Sequence, residues 1–491
     1  MIREFIKDLG KYLPAQVIPA IVGLFSIPII TSLFPPADYG NYVLVLVTVT
    51  IFSAIAGWLN MSIIRFHPVY ERDEKLEEFY GIVIKLLLIS VIVLSIILIV
   101  IMSLSRNYFS DNLYHLMRIG VLIFVLTASF DVLLHFFRAK RQVNLYSAFS
   151  VWMRVTAIGF GLALVLIFHY GIEGLLWGSI LSMAVVLPFG WKVAVKKISM
   201  RKSIFTSSTL EMAGYSFPLV LANLAAWILS LSDRYVLGFF RGSQEVGIYS
   251  VSYSISEYSI LFIASMFMLS GGPIEINIWE KGGMEKSREF VSKITRYYLI
   301  VCLPAAVGIS VLAKPIISVL TVPEYYEGYR IVSFVVFGGF LLGLQQRFHS
   351  GLIFYKKTLL IMFCIVAAGI LNIALNLLFV PKYGYMAAAA TTLVGYAFLV
   401  VLMIIVSRRV FMWRFPFKSL GKIACASVVM GIVVYPIGNS LTSSTLLNLI
   451  AGICTGAIIY FLALFLLGEF NKAEIQQLQA IRYTISRRIM K

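Results

Sequence analysis

The sequence predicts an all-α polytopic membrane protein of about 14 transmembrane helices, on three observations. First, 60% of the 491 residues are hydrophobic and 13% are charged, where soluble domains carry roughly 25% charge, and the mean hydropathy is +0.91. Second, the apolar residues fall into runs of about 20 or more, the length a helix needs to cross a hydrocarbon core of ~30 Å. Third, the basic residues gather in alternate gaps between those runs, the pattern that fixes orientation in a membrane.

The first six runs are Leu13 to Phe34, Tyr42 to Ile64, Phe79 to Leu104, Leu116 to Phe137, Leu145 to Phe168 and Ile172 to Val195. Six more follow at Met212 to Phe240, Gly247 to Leu269, Tyr297 to Leu320, Ile331 to Phe354, Leu359 to Val380 and Tyr385 to Val406. Leu420 to Ile437 and Leu446 to Leu467 complete the set. The opening MIREFIKDLGKYLP has bases ahead of an apolar run too long for a signal core. It reads as an interfacial helix, with Phe5, Ile6 and Leu9 on one side, leading into a retained first span.

Each span reverses direction, so a missed span would scramble the charge alternation. With the amino terminus in the cytoplasm, the even gaps carry nearly all the bases, Arg72 and Lys75; Arg138, Lys140 and Arg141; Lys196 to Lys202; Lys281 to Lys293; Lys356 and Lys357; Arg408 to Lys418, while the opposite gaps hold only Arg106, Arg118, Arg241, Arg330 and Lys382. Both termini are therefore expected in the cytoplasm of a multi-pass cell-membrane protein. The formal charge of +18 fits contact with anionic headgroups, and no nucleic-acid-binding motif accompanies it. Cys302, Cys364, Cys425 and Cys454 lie in four different apolar runs and read as small core residues.

An internal repeat orders the spans. ADYGNYVLV before the second span matches EVGIYSVSY before the eighth, pairing Gly40 with Gly247 at an offset of about 207 residues. FHYGIEG matches PKYGYMA, pairing Gly171 with Gly384 at an offset of about 213. Six spans separate each pair, and an even number preserves orientation, so the halves are expected to be parallel repeats. The expected organisation is an amino-terminal lobe at 1–195, a basic cytoplasmic linker at 196–211 and a second six-span lobe at 212–406. Two further helices at 407–468 and a basic cytoplasmic tail at 469–491 complete it. Gly174 with Gly178, Gly339 with Gly343 and Gly452 with Gly456 have the spacing that lets membrane helices approach closely.

Ionisable residues inside spans mark cavities, ion pairs or substrate paths, because an uncompensated charge there is costly. In the seventh span Asn223, Trp227, Ser230 and Arg234 share a helical face, and Asp233 adjoins them. In the eighth, Ser250, Tyr253, Ser254 and Glu257 do the same. Asp131 and Arg154, on the fourth and fifth spans, are placed to pair with one another or to face a cavity. In the tenth span Gly339, Gly343, Arg347 and Ser350 lie along one side, leaving room beside the guanidinium. Asn372 and Asn376 stand one turn apart on the eleventh, positioned for interhelical hydrogen bonds or as oxygen ligands with Asp233 or Glu257. The segment Ile274 to Lys293 mixes acids and bases and reads as a solvated or interfacial helix.

The run SDRYVLGFF, a short polar turn and EVGIYSVSYSIS resemble the start of the second lobe in Wzx-type polysaccharide transporters. These belong to the multidrug/oligosaccharidyl-lipid/polysaccharide exporter superfamily. RAKRQVNLYSAFSVWMR, ending at Arg154, is similar to another recurring stretch of that family, and the likeness extends over nearly the whole chain. The resemblance implies a flippase moving a polyprenyl-(di)phosphate-linked oligosaccharide from the inner to the outer leaflet by alternating access of two lobes. Its partners would be that lipid-linked oligosaccharide, membrane lipids and glycan assembly proteins. There would be no cofactor beyond a coupling H⁺ or Na⁺, for which related transporters use acidic sites.

Chemistry agrees with that expectation. The intramembrane set leans towards bases, with Arg154, Arg234, Arg347, Lys85 and Lys314 against Asp131, Asp233 and Glu257, and guanidinium suits a phosphate-bearing head. A cation-coupled multidrug exporter calls for the opposite balance, while a lipid II flippase shares the diphosphate. A membrane enzyme or an ATP-driven pump would need a catalytic loop or nucleotide motif, and neither H-E-x-x-H nor a P-loop is present.

Overall fold

The computed structural model describes residues 2–195, 199, 207–440 and 444–470. Within them the regular structure is helical, as predicted. The first seven helices are α1 (Ile2–Leu33), α2 (Pro36–Ala56), α3 (Trp58–Arg72), α4 (Leu76–Leu104), α5 (Asp111–Ala139), α6 (Val143–Leu166) and α7 (Glu173–Ala194). They are followed by α8 (Ser207–Arg241), α9 (Ser243–Val311), α10 (Ala313–Leu320), α11 (Tyr329–Phe354), α12 (Thr358–Arg408), α13 (Phe417–Ser440) and α14 (Thr445–Leu466). Most of the basic linker 196–206 and the tail from residue 471 lie outside the described residues, as do the side chains of Phe5, Ile6 and Leu9.

Eleven of the described helices are long and apolar enough to cross a membrane. One of them, α12, has 51 residues, roughly 76 Å of helix at ~1.5 Å per residue, against a hydrocarbon core of ~30 Å. It bends at Gly384, where φ is 58°, so it holds two of the expected spans. The 69-residue α9 breaks likewise at Gly283, φ 70°. A shorter apolar stretch, Val17–Leu33, supplies the expected first span. The protein is thus a multi-pass membrane protein.

Local sequence explains the helix ends. Pro36 opens α2 at a position where the missing N–H costs nothing, and the Ser110 hydroxyl caps α5 by accepting from Leu113 N at 3.2 Å. Helices α3, α5 and α11 close with a residue at positive φ, respectively Glu74, Arg141 and Lys356. In each, the next N–H reaches back five residues along the chain: Lys75 N to Tyr70 O, Gln142 N to Phe137 O, and Lys357 N to Leu352 O. Arg141 and Lys356 stand about 215 residues apart, so this basic turn is a further mark of the internal repeat.

The chain forms two compact units, residues 1–254 with 362–395, and residues 255–361 with 396–491. The division falls within α9 and α12. In the first unit α6 packs along α7 and α1, and α5 packs against α2, α3, α4 and α7. A Cβ at Gly178 would strike the Gly161 backbone, so small residues do bring α6 and α7 together. In the second unit α13 pairs with α14, and Gly456 lies against Val434. Two of the four cysteines, Cys302 and Cys364, are buried as expected. Cys425 and Cys454 are exposed instead, as an apolar thiol can be on a lipid-facing helix surface.

Candidate functional site

The first unit holds a buried polar network built on Asp233 of α8. Its Oδ1 accepts from the Arg234 backbone N–H at 2.8 Å and from Arg234 Nη1 at 3.1 Å. Its Oδ2 accepts from the Tyr249 hydroxyl of α9 and, at 3.4 Å, from Thr392 Oγ1 of α12. Asn372 Nδ2 donates to the same Thr392 oxygen at 3.3 Å. Asn376 Nδ2 donates to Asn372 Oδ1 at 3.1 Å, and Thr391 Oγ1 donates to Asn376 Oδ1 at 2.5 Å. Asp233 is 1% exposed and both asparagines are 0% exposed.

Neighbouring groups hold this network in place. The Arg234 guanidinium lies 4.6 Å from the Tyr253 ring centroid and 5.4 Å from that of Tyr249, a cation–π arrangement that offsets part of its desolvation. At the bend in α12, Glu245 Oε2 accepts from Tyr385 N at 3.0 Å, and a Cβ on Gly384 would collide with that carboxylate. The bend therefore requires a residue with no side chain, and Glu245 satisfies the N–H it frees. Two helices, α8 and α12, thus contribute four oxygens to one hydrogen-bonded network, Asp233 Oδ2, Thr392 Oγ1, Asn372 Oδ1 and Asn376 Oδ1. Hard oxygen donors of this kind suit a proton or a hard cation.

Of the residues singled out by sequence, the structure joins Asp233, Arg234, Asn372 and Asn376. Glu257 belongs to the second unit. Asn223 is exposed, one end of a stripe that reaches the buried Arg234 through Ser230, whose carbonyl accepts from Arg234 Nη1 at 3.0 Å. Tyr249, Thr391 and Thr392 escaped sequence reasoning. Tyr249 is visible as a repeat partner of Tyr42, but nothing local marks it as a carboxylate donor, and the two threonines sit inside an apolar run.

Asp131 and Arg154 do not pair. Arg154 is exposed on α6, and the His135 ring beside Asp131 bonds the Asp131 carbonyl, with Nδ1 at 2.7 Å. Arg347, 3% exposed, has no open space beside it. Its Nη1 meets Glu275 Oε1 at 2.6 Å, and Ser350 Oγ donates to Glu275 Oε2 at 2.7 Å. The Tyr298 ring fills the site next to Gly343. Glu275, expected on a solvated segment, is 5% exposed. That expectation failed because α9 carries the eighth span on past Glu275 as far as Gly283, and the partner charge lies on another helix. Among the described residues no group of His, Cys, Asp and Glu forms a metal site.

The fold and this network define a multi-pass helical membrane protein whose spans carry buried polar sites. The polysaccharide biosynthesis protein family matches residues 5–279, more than half the chain, and the protein belongs to that family. The MatE family matches residues 218–378, which include Asp233, Asn372 and Asn376. The chain is similar to the probable low-salt glycan biosynthesis flippase Agl15 of Haloferax volcanii, at 22% identity over 77% of this chain and 78% of that one. It is similar also to the probable flippase AglR of the same organism, at 23% identity over 72% and 74%. Among solved structures, the lipid II flippase MurJ in an inward closed conformation superposes with a TM-score of 0.73 at 16% identity, over 93% of this chain and 98% of that one. An inward-facing multidrug resistance MATE transporter gives 0.66 at 14% identity, over 80% and 94%.

Proposed function

We propose that the protein flips a polyprenyl-(di)phosphate-linked oligosaccharide from the inner to the outer leaflet for surface-glycan assembly, by alternating access of the lobes 1–195 and 212–406. One relative named as a probable glycan biosynthesis flippase and another named as a probable flippase support this reading. The observation that carries a transport mechanism is the Asp233 network, a carboxylate sealed in the membrane and tied to hydroxyls and amides on two other helices. In this reading Na⁺ or H⁺ displaces the Tyr249 and Thr392 hydrogen bonds at Asp233 Oδ2. That re-sets the contacts of α8 with α9 and α12, and differential affinity for the two arrangements drives the change. Exposed Arg154 and Asn223 would meet the phosphate-bearing head and its sugars, a task for which the planar guanidinium is suited. Both termini would be cytoplasmic, and glycan assembly proteins would deliver and receive the lipid.

The match of the MatE family across the Asp233 network favours one second reading, a cation-coupled exporter of small molecules. Proteoliposomes loaded with fluorescent polyprenyl-diphosphate oligosaccharide separate the two. Flipping that responds to an imposed Na⁺ or H⁺ gradient supports the first reading. Gradient-driven efflux of cationic dyes with no movement of the lipid establishes the second.

A further inference from the structure

Helix α8 leaves two strips of its surface uncovered. On one side Gly369 and Gly395 of α12 lie against Ala225, Ile228 and Leu229. On another the Tyr235 hydroxyl bonds Thr48 Oγ1 of α2 at 2.6 Å, and Gly238 lies against Leu44. The first uncovered strip is apolar, with Leu221 61% exposed. The second, about 160° round the helix from it, carries exposed Asn223 and, one turn on, Trp227 at 38%. It runs on through Ser230, whose hydroxyl donates to the Ala226 and Trp227 carbonyls at 3.1 and 3.3 Å, to buried Arg234.

Lipid suits the apolar strip and not the polar one. Within the membrane-crossing stretch Thr209–Arg241, Asn223 lies ~21 Å of helix from one end and Trp227 ~21 Å from the other. Both are therefore far from the headgroup regions where tryptophan ordinarily anchors a span. Among the described residues, neither the Asn223 amide nor the Trp227 indole N–H has a hydrogen-bond partner. An amide left unpaired against hydrocarbon is costly, so at this depth the strip faces water or a polar ligand.

The chemistry of the strip selects the ligand. It holds no free charge, because Arg234, ~10 Å of helix beyond Trp227, is 5% exposed and bonded to Asp233. A bare diphosphate finds no open guanidinium there, a cation finds no carboxylate on the strip, and an acyl chain leaves the amide unsatisfied. A pyranose ring matches both groups: its C–H face lies on the indole, and two neighbouring hydroxyls pair with the oxygen and the NH₂ of Asn223. We propose that Asn223 and Trp227 form a subsite for one sugar ring of the lipid-linked glycan. This rests on the flippase reading and deepens it, separating the groups that hold sugar from those that hold phosphate.

The test is binding to the purified full chain, by microscale thermophoresis, of farnesyl diphosphate and of its esters with glucose, galactose and N-acetylglucosamine. At least one sugar-bearing lipid is expected to bind about tenfold more tightly than farnesyl diphosphate. Trp227→Ala and Asn223→Ala are each expected to lower its affinity to that of farnesyl diphosphate without lowering the unfolding temperature, since both side chains are exposed. Trp227→Phe, which keeps an aromatic face, should retain part of the preference. Equal affinity for all four lipids, or a sugar preference kept in full by either alanine variant, overturns the subsite and leaves the flippase reading standing. Binding of none of the four lipids to the wild-type chain overturns the flippase reading and the subsite with it. Ethidium binding that Trp227→Ala abolishes, with no change for any lipid, assigns the ring to a cation and overturns the subsite too.

Discussion

Gly40 on α2 and Gly247 on α9 each sit against the other's helix in a reciprocal contact. A Cβ built on Gly40 would run into the Ser243 carbonyl, and one built on Gly247 into the Pro36 carbonyl. Ser243 precedes Gly247 by one turn, as Pro36 precedes Gly40. The two contacts are therefore copies of each other under the internal repeat, and Ser243 Oγ adds a bond to Asn41 Oδ1 at 2.5 Å. In the proposed topology this clasp lies at the external end.

Enlarging either glycine should loosen it. Gly40→Val and Gly247→Val are each expected to cost about 1–3 kcal/mol by overpacking and to slow flipping, because the external end no longer closes. Gly159→Ala, whose added methyl meets nothing within 4 Å, should leave both quantities unchanged. Thermal unfolding in detergent and reconstituted flipping measure the contrast. Wild-type behaviour from both valine variants would remove the clasp from the mechanism.

Asp233→Asn keeps the shape of the side chain but strands the Arg234 charge, so about 3–5 kcal/mol of stability should be lost. Asp233→Asn with Arg234→Gln removes both charges and should recover most of it. Neither variant should respond to a Na⁺ or H⁺ gradient. Gradient-dependent flipping by the stable double variant would place coupling elsewhere.

Arg347 and Glu275 form a buried pair, so losing one member should be far worse than losing both. Arg347→Ala or Glu275→Gln should each destabilise by about 3–5 kcal/mol, whereas Arg347→Met with Glu275→Leu should unfold near the wild-type temperature. Flipping by that double variant decides whether Arg347 also contacts substrate. Wild-type rates would assign the residue to packing alone.

Arg154 offers the complementary case, being exposed and unpaired with Asp131. Arg154→Ala should lower flipping by at least about tenfold with little change in stability, and Arg154→Lys should restore part of it, since lysine keeps charge without the planar fork. Adding Asp131→Ala to Arg154→Ala should rescue nothing. Rescue would revive the ion pair that the structure does not form.

Topology is open to direct reporting. Fusions after Lys293 and Arg414 should read as cytoplasmic, and fusions after Asp38 and Arg241 as external. A cytoplasmic signal beside Arg241 would break the alternation on which the orientation rests.

The sequence by itself determined the class of fold, the approximate positions of the spans and the repeat. Each follows from one-dimensional information: the length of an apolar run against bilayer thickness, the side on which bases fall, and the recurrence of short motifs. It also marked Asp233, Arg234, Asn372 and Asn376, because a charge or amide within an apolar run is conspicuous wherever its partners lie. Only the tertiary structure decided those partners. Tyr249 and Thr392 bond Asp233 from 16 and 159 residues away, and Glu275 bonds Arg347 across 72, distances at which helical periodicity carries no information. The same limit explains the misplaced pair. Asp131 and Arg154 lie on neighbouring spans at compatible depths, but depth and sequence proximity do not fix how far each helix is rotated about its own axis, and that rotation is set by the packing of α5 and α6 against α1 and α7.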